Sequence, residues 1–331
     1  MPKFIISEQE IINVLIKNNL ILKNYSLFDE KGLGLVNTIY FITTTNNNKL
    51  ILKIINPSKM FKEKKTVNEV EIINFLTKNT TVPVPKIIDY SINTNLIGYE
   101  YILMTQIKGE PLSRTYDHIS STQRISYIKT IANYVVQMNQ FKFDKIGNFN
   151  KNMEVVKRVD ANKGPFNDFS KYIYYGTKFY LKNVDSSKFK KQIELLSKFN
   201  EQKIKSTQII LPYTLCHFDL APHNILTHNN KITGIIDFEW SGSGSFYVEL
   251  LNLLEDLKLN KYKDCKIEFF NILKKNNINT QIPNKVRVYS NIMYYALYLS
   301  IYKDVFKTDK ELNKFIKKIN LYIEKKLKSI Y

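Results

Sequence analysis

The chain has 331 residues, and 44% of them are hydrophobic; that is enough apolar material for one large two-lobed domain or two domains, and it sets aside a disordered chain. Its 49 Lys and Arg against 30 Asp and Glu leave a formal charge of +19, which raises nucleic acid or an anionic membrane as partners. The lysines are scattered among Asn, Ile and Tyr, with only short runs such as residues 62–65 and 325–328, so the expectation is a solvated basic surface without nucleic acid as partner.

In chain order, Ser7-Glu8-Gln9-Glu10 has the form of a capping box ahead of the periodic apolar positions Ile11, Ile12, Leu15 and Ile16, which predicts a helix of about three turns. The few apolar residues before Glu8 are too short a run for a secretory signal, and no later run is long enough to span a bilayer. Two cysteines, Cys216 and Cys265, form no C-x-x-C pair and no disulfide framework, so a cytoplasmic protein is expected. Residues 33–42 and 50–55, separated by the Asn-rich residues 46–48, read as two strands around a turn. A helix is predicted over 67–78, an extended stretch at Val82-Pro83-Val84-Pro85, and a third strand over 99–105. Beyond Gly109-Glu110-Pro111 the texture turns helical, over 123–139, 169–205 and from Tyr247 onward, interrupted by strand-like runs at 225–226 and 232–236. A strand-rich part followed by a helical part predicts an α+β fold of two lobes joined near residues 105–110, with the boundary placed between 1–107 and 108–331.

The densest chemical signal is Cys216-His217-Phe218-Asp219-Leu220-Ala221-Pro222-His223-Asn224, with Asp237 thirteen residues after Asn224. The H-x-D-x-x-x-x-N spacing is that of a kinase catalytic loop. A carboxylate near an attacking hydroxyl can orient it and take its proton. An amide oxygen and a second carboxylate suit hard Mg²⁺, whose remaining positions go to water and phosphate oxygens. Residues 228–231 form a polar turn between the two short strands, so a hairpin can carry Asp237 back to Asn224.

On the motifs His217 to Leu226 and Ile232 to Trp240 the chain resembles the aminoglycoside phosphotransferase and choline kinase-like superfamily, relatives of protein kinases. The resemblance implies a two-lobed protein kinase-like fold with a β-rich N-lobe and a mainly helical C-lobe. It implies transfer of the γ-phosphoryl of ATP or GTP, with Mg²⁺, to a small-molecule hydroxyl. Asp219 would be the catalytic base, His217 the organiser of its loop, and Asn224 and Asp237 the Mg²⁺ ligands. Lys53, in Leu50-Ile51-Leu52-Lys53-Ile54-Ile55, resembles the lysine that contacts nucleotide phosphates, and Glu69 resembles its ion-pair partner, with Glu71 as the alternative. Residues 103–109 look like the family's hinge, whose backbone near Gln106 and Ile107 would meet the purine. The loop holding Gly32 and Gly34 stands where the nucleotide loop is expected, without the third glycine of protein kinases. Glu249 stands roughly where many relatives carry an Asp that braces the catalytic loop.

Other readings compete at particular residues. His217, His223 and His228 cluster with Cys216 and Asp219, as in a zinc hydrolase, but no H-E-x-x-H or paired-Cys spacing accompanies them. An isolated Lys53 on an edge strand would only guard against strand pairing. A kinase-like scaffold binding nucleic acid or protein is the non-enzymatic alternative, against which stand Lys53, Asp219, Asn224 and Asp237 together. For the acceptor, an aminoglycoside, another antibiotic, an amino alcohol such as choline, a sugar and a protein hydroxyl stay open. Glu239, Glu249, Glu255 and Asp256 are either an acidic pocket for a cationic acceptor or a solvated helical face.

Overall fold

The structure, a computed structural model, describes residues 4–28, 37–56 and 65–329. Gly32 and Gly34 of the expected nucleotide loop lie outside the described residues. Helix α1, Glu8–Lys17, starts as the capping box predicts: the Glu10 backbone N–H donates to Ser7 Oγ at 3.3 Å and the Ser7 N–H to Glu10 Oε2 at 2.7 Å. It buries Ile11, Val14 and Leu15 on one face of a sheet, each such side chain stabilising by about 1.5–3 kcal/mol.

That sheet is antiparallel and five-stranded, in the order β1-β2-β3-β5-β4, from β1 (Leu22–Leu27), β2 (Thr38–Thr44), β3 (Lys49–Ile55), β4 (Ile87–Ser91) and β5 (Glu100–Thr105). Lys53 is therefore on the central strand, opposite Ile39 and Ile102, which removes the edge-guard explanation. Side chains alternate across a sheet. Leu50, Leu52 and Ile54 join the α1 side, while Ile51 and Ile55 pack with Val70 of helix α2, Thr66–Asn79. Lys53, in phase with Ile51 and Ile55, thereby faces α2.

The connection between the two parts is short and tight. The Gln106 N–H continues the sheet by donating to the Lys49 carbonyl at 2.9 Å. A Cβ on Gly109, at φ +150°, would lie 2.7 Å from Thr233 Oγ1, so the chain enters the second part against β-structure that only glycine admits. The two-residue strand β6, Glu110–Pro111, then pairs with β11 (Ile225–His228), which pairs with β12 (Lys231–Ile235). Helix α3 is Ser121–Asn139; the short strands β7 (Lys142–Phe143), β8 (Asn148–Phe149) and β9 (Val155–Val156) follow. Strands β7, β10 (Tyr213–Cys216) and β13 (Gly242–Ser245) form a second three-stranded sheet.

The remaining mass is helical: α4 (Phe169–Leu181), α5 (Ser186–Phe199), α6 (Phe246–Asp256), α7 (Lys263–Lys275), α8 (Asn284–Ser300), the single turn α9 (Tyr302–Val305) and α10 (Asp309–Ser329). The segment expected to be helical over 169–205 is broken, because Asp185 caps a new helix by accepting from the Ser187 N–H at 3.0 Å. One apolar cluster joins Ile72, Ile73 and Leu76 of α2 to Ile128 and Ile131 of α3 and Leu250 of α6. A second lies among α4, α5, α8 and α10. The fold is thus α+β, with a β-rich N-terminal sheet and a helical C-terminal part. Among the described residues no helix is long and apolar enough to cross a membrane.

Candidate active site

Strand β10 delivers His217 into the interior, wholly buried. Its Nδ1 accepts the Asp219 backbone N–H at 3.3 Å, so the ring proton sits on Nε2, which donates to the Ile236 carbonyl at 3.2 Å. Burial lowers its pKa, more than the charges of Asp219 and Asp237 raise it, and the ring stays neutral. The imidazole touches no open space; it fixes the backbone of Asp219 to the residue before Asp237. Glu249 of α6 braces the same loop, its two carboxylate oxygens accepting the N–H groups of His217 at 3.2 Å and Phe218 at 2.6 Å. Burial lifts the Glu249 carboxyl to about 7 against the pull of those two bonds. Phe218 itself sits at φ 64°, a left-handed conformation costly for an aromatic residue, and its carbonyl accepts from Asn252 Nδ2 at 3.0 Å.

Asp219 is left partly open beside Asn224. Asn224 Nδ2 donates to both the carbonyl and Oδ2 of Asp219, each at 2.9 Å, which turns the amide oxygen the other way. The hairpin of β11 and β12 closes as the spacing implied: Ile225 pairs with Ile235, and the Ile236 N–H donates to the Asn224 carbonyl at 3.0 Å. Asp237 follows at φ 66°, ψ 64°, and its Oδ1 lies 2.8 Å from Lys53 Nζ. Lys53 also donates to both oxygens of Glu69 at 2.9 and 2.8 Å. Glu69, not Glu71, is its partner on α2.

Glu239, in the turn after Asp237, is buried too: it accepts from Asn37 Nδ2 at 2.8 Å and lies 3.9 Å from Lys53 and 3.7 Å from Lys65. Three carboxylates therefore surround Lys53. Burial works against its charge, but Asp237, Glu69 and Glu239 raise its pKa well above the ordinary lysine value. Burial and the neighbouring carboxylates lift Glu69 to about 7 in spite of Lys53. Burial also opposes the charge of Asp237, yet the Lys53 ammonium holds it below the usual range. Lys65 is pulled down to about 8 by burial. Among the described residues the carboxylates of Asp237, Glu69 and Glu239 outnumber the ammonium groups of Lys53 and Lys65, and the oxygens of Asp237 and Asn224 are hard donors suited to Mg²⁺. Among the described residues no three His, Cys, Asp or Glu side chains are arranged to hold a metal ion.

The acidic residues grouped by sequence separate in space. Glu239 meets Lys53 and Lys65, and Glu249 meets backbone, so neither lines an acceptor pocket. Asp256 remains on the Asp219 side: burial and the charge of Asp219 raise its carboxyl to about 7. His223 Nε2 lies 3.6 Å from Asp219 Oδ2, and that carboxylate raises the imidazole pKa. Tyr294 and Tyr298 of α8, with ring centroids 4.4 Å apart, feel the charges of Asp256 and Glu255. Sequence reasoning missed Asn37, Lys65 and the buried trio Arg158, Asp160 and Tyr172. None has a spacing signature, and only folding brings them to the site.

The crystal structure of aminoglycoside phosphotransferase APH(4)-Ia has the same fold, with a TM-score of 0.61 at 12% identity over 96% of this chain and 99% of that one. The streptomycin–ATP–APH(2″)-IIa ternary complex gives 0.56 at 15% identity over 97% of each. A subtelomeric hrmA-associated cluster protein of Aspergillus fumigatus is 29% identical over 112 residues, 34% of this chain, and the match spans only 21% of that relative's length. The sequence profile described as the phosphotransferase enzyme family, APH, matches residues 32–260. Because that match takes in Lys53 and Glu69 as well as the whole stretch from His217 to Asp237, the chain belongs to the phosphotransferase enzyme family.

Proposed function

We propose that the protein transfers the γ-phosphoryl group of ATP or GTP to a hydroxyl of a small molecule, working in the cytoplasm as a two-lobed enzyme divided at residues 1–107 and 108–331. The observation that carries this reading is the meeting of Lys53, Glu69 and Asp237 at 2.8–2.9 Å from three separate elements. Lys53 would engage the α- and β-phosphates, with Glu69 holding its ammonium in place. The purine would rest against the segment of Gln106 and Ile107, whose Gln106 N–H is already bonded to the Lys49 carbonyl.

Asn224 and Asp237 would hold Mg²⁺, which when bound neutralises phosphate charge. Asp219 would align the acceptor hydroxyl and take its proton, its carboxylate kept in place by Asn224 and its backbone by His217. His217, buried and neutral, positions this loop and does not touch the reacting atoms. Asp256 and Tyr298, which feel the charge of Asp219, favour an acceptor that carries a cationic group, as an aminoglycoside-like compound or an amino alcohol does.

A coupled nucleotide-consumption screen, run with ATP and GTP across aminoglycosides, other antibiotics, amino alcohols, sugars and protein hydroxyls, tests the reading. At least one small-molecule acceptor should raise Mg²⁺-dependent turnover, and Asp219→Asn should lower that rate by about 10²-fold or more. Equal rates for parent and variant on that acceptor would remove Asp219 as the base. No turnover on any acceptor, together with tight binding of RNA at moderate salt, would transfer the assignment to a scaffold.

A further inference from the structure

Behind the catalytic loop lies a charged cluster that phosphoryl transfer does not directly use. Arg158, Asp160 and Tyr172 are all buried. Arg158 Nε donates to Asp160 Oδ1 at 3.0 Å, and the Tyr172 hydroxyl donates to Asp160 Oδ2 at 2.9 Å. The guanidinium does not stop at this pair. Its Nη2 donates to the Trp240 carbonyl at 3.1 Å and its Nη1 to the Ser241 carbonyl at 3.5 Å. Its Cζ lies over the Phe218 ring, 5.2 Å from the centroid.

The two segments it touches are the ones that carry the chemistry. Phe218 is the neighbour of Asp219, and Trp240 ends the short turn that starts at Asp237. Both segments also begin from strained backbone, with Phe218 at φ 64° and Asp237 at φ 66°, conformations that persist only when their surroundings enforce them. The surroundings are cut to fit the arginine. A Cβ on Gly242 would lie 2.6 Å from Arg158 Nη1, and one on Gly244 would lie 2.3 Å from Cζ of the Phe218 ring. Two glycines in strand β13 thus make room for the guanidinium and for the ring it covers. A planar fork of fixed donors suits this task; a lysine ammonium has one point of charge and no flat face.

We propose that Arg158 is a positioning residue for phosphoryl transfer: oriented by Asp160 and Tyr172, it fixes the Phe218 side of the catalytic loop against the Asp237–Trp240 turn and so sets Asp219 relative to Asp237. The inference rests on the function proposed above.

It is tested with the double variant Arg158→Met/Asp160→Asn, which removes both buried charges together and leaves neither unpaired, and with Arg158→Lys. Three properties are measured: the melting temperature, Mg²⁺-dependent hydrolysis of ATP and GTP with water as acceptor, and backbone hydrogen exchange along the whole chain, with residues 214–222 and 235–245 compared with the rest. The expected result for the double variant is a kcat lower by about 10²-fold, an unchanged KM for nucleotide, a higher Mg²⁺ concentration at half-maximal rate, and faster exchange confined to those two segments. Arg158→Lys should recover little of the rate. A folded double variant with parental kcat and parental exchange would overturn the assignment, as would exchange that rises evenly along the whole chain. A parent that neither binds nor hydrolyses either nucleotide with Mg²⁺ defeats the phosphotransfer reading and the inference with it. A parent that is active while the double variant matches it defeats the inference alone.

Discussion

Glu249 shows how a single residue at this site trades stability for placement. Its carboxylate accepts two backbone N–H groups of the loop that holds Asp219, yet burial lifts its pKa to about 7 from the ordinary 4.5. Between those two values the folded protein binds a proton that the unfolded chain has released. Stability from this group is therefore fully present below pH 4.5, falls as the pH rises towards 7, and is lost above it, by an amount on the order of 3 kcal/mol. Glu249→Gln removes that slope, so above pH 7 the variant should be at least as stable as the parent in denaturant unfolding. The same variant presents only one acceptor oxygen to two N–H groups, and its kcat should fall by roughly tenfold or more with little change in KM. A variant that keeps the parental pH slope, or the parental kcat, contradicts this account.

At the residue scale the spacing of His217, Asp219, Asn224 and Asp237 was legible because those residues flank one short hairpin, so sequence distance and spatial distance stay close. Glu239 was not, since its partners Asn37, Lys53 and Lys65 lie far away in sequence, in the N-terminal part. Arg158 was invisible because Asp160, its neighbour in sequence, forms no recognised motif with it, and the carbonyls of Trp240 and Ser241 reach it only through the fold.

At the scale of elements, what could be read were local rules. Ser7 and Glu10 announced α1, and both reciprocal bonds of the box are present. Ser7→Ala should cost about 1 kcal/mol of unfolding free energy. It should leave nucleotide turnover unchanged, because α1 packs on the face of the sheet opposite Lys53. Urea unfolding alongside a rate assay checks both halves, and a fall in rate with no loss of stability would contradict the placement. Strands β10 and β13 escaped the sequence reading for a physical reason. Gly242-Ser243-Gly244-Ser245 has no apolar alternation; its residues are small so that Arg158 and Phe218 can pack against them. The break between α4 and α5 was hidden beneath continuous helical periodicity, and only the cap at Asp185 marks it.

At the scale of the whole molecule the strand-rich texture of the N-terminal part and the helical texture of the C-terminal part correspond to a five-stranded antiparallel sheet followed by a mainly helical mass. The sharing of one apolar cluster by α2 and the C-terminal helices could not be read, because the periodicity of a helix tells which face is apolar and not what covers it. That shared cluster has a functional counterpart in the polar site above it, where Lys53 and Glu69 come from the sheet and α2 while Asp237 comes from the C-terminal part. A ligand that binds across this junction stabilises both sides at once, since anything that binds only the folded state shifts unfolding by mass action. Mg·ATP or Mg·GTP at about a hundredfold excess over its Kd should add about 2.7 kcal/mol and raise the melting temperature accordingly. Asp237→Ala removes a carboxylate proposed to hold the cation and leaves the Lys53–Glu69 pair intact. Its melting temperature should therefore lose the Mg²⁺-dependent part of that gain and keep only what nucleotide alone supplies. Thermal melts with nucleotide, with and without Mg²⁺, separate the two parts. An undiminished Mg²⁺-dependent gain in Asp237→Ala would place the cation elsewhere.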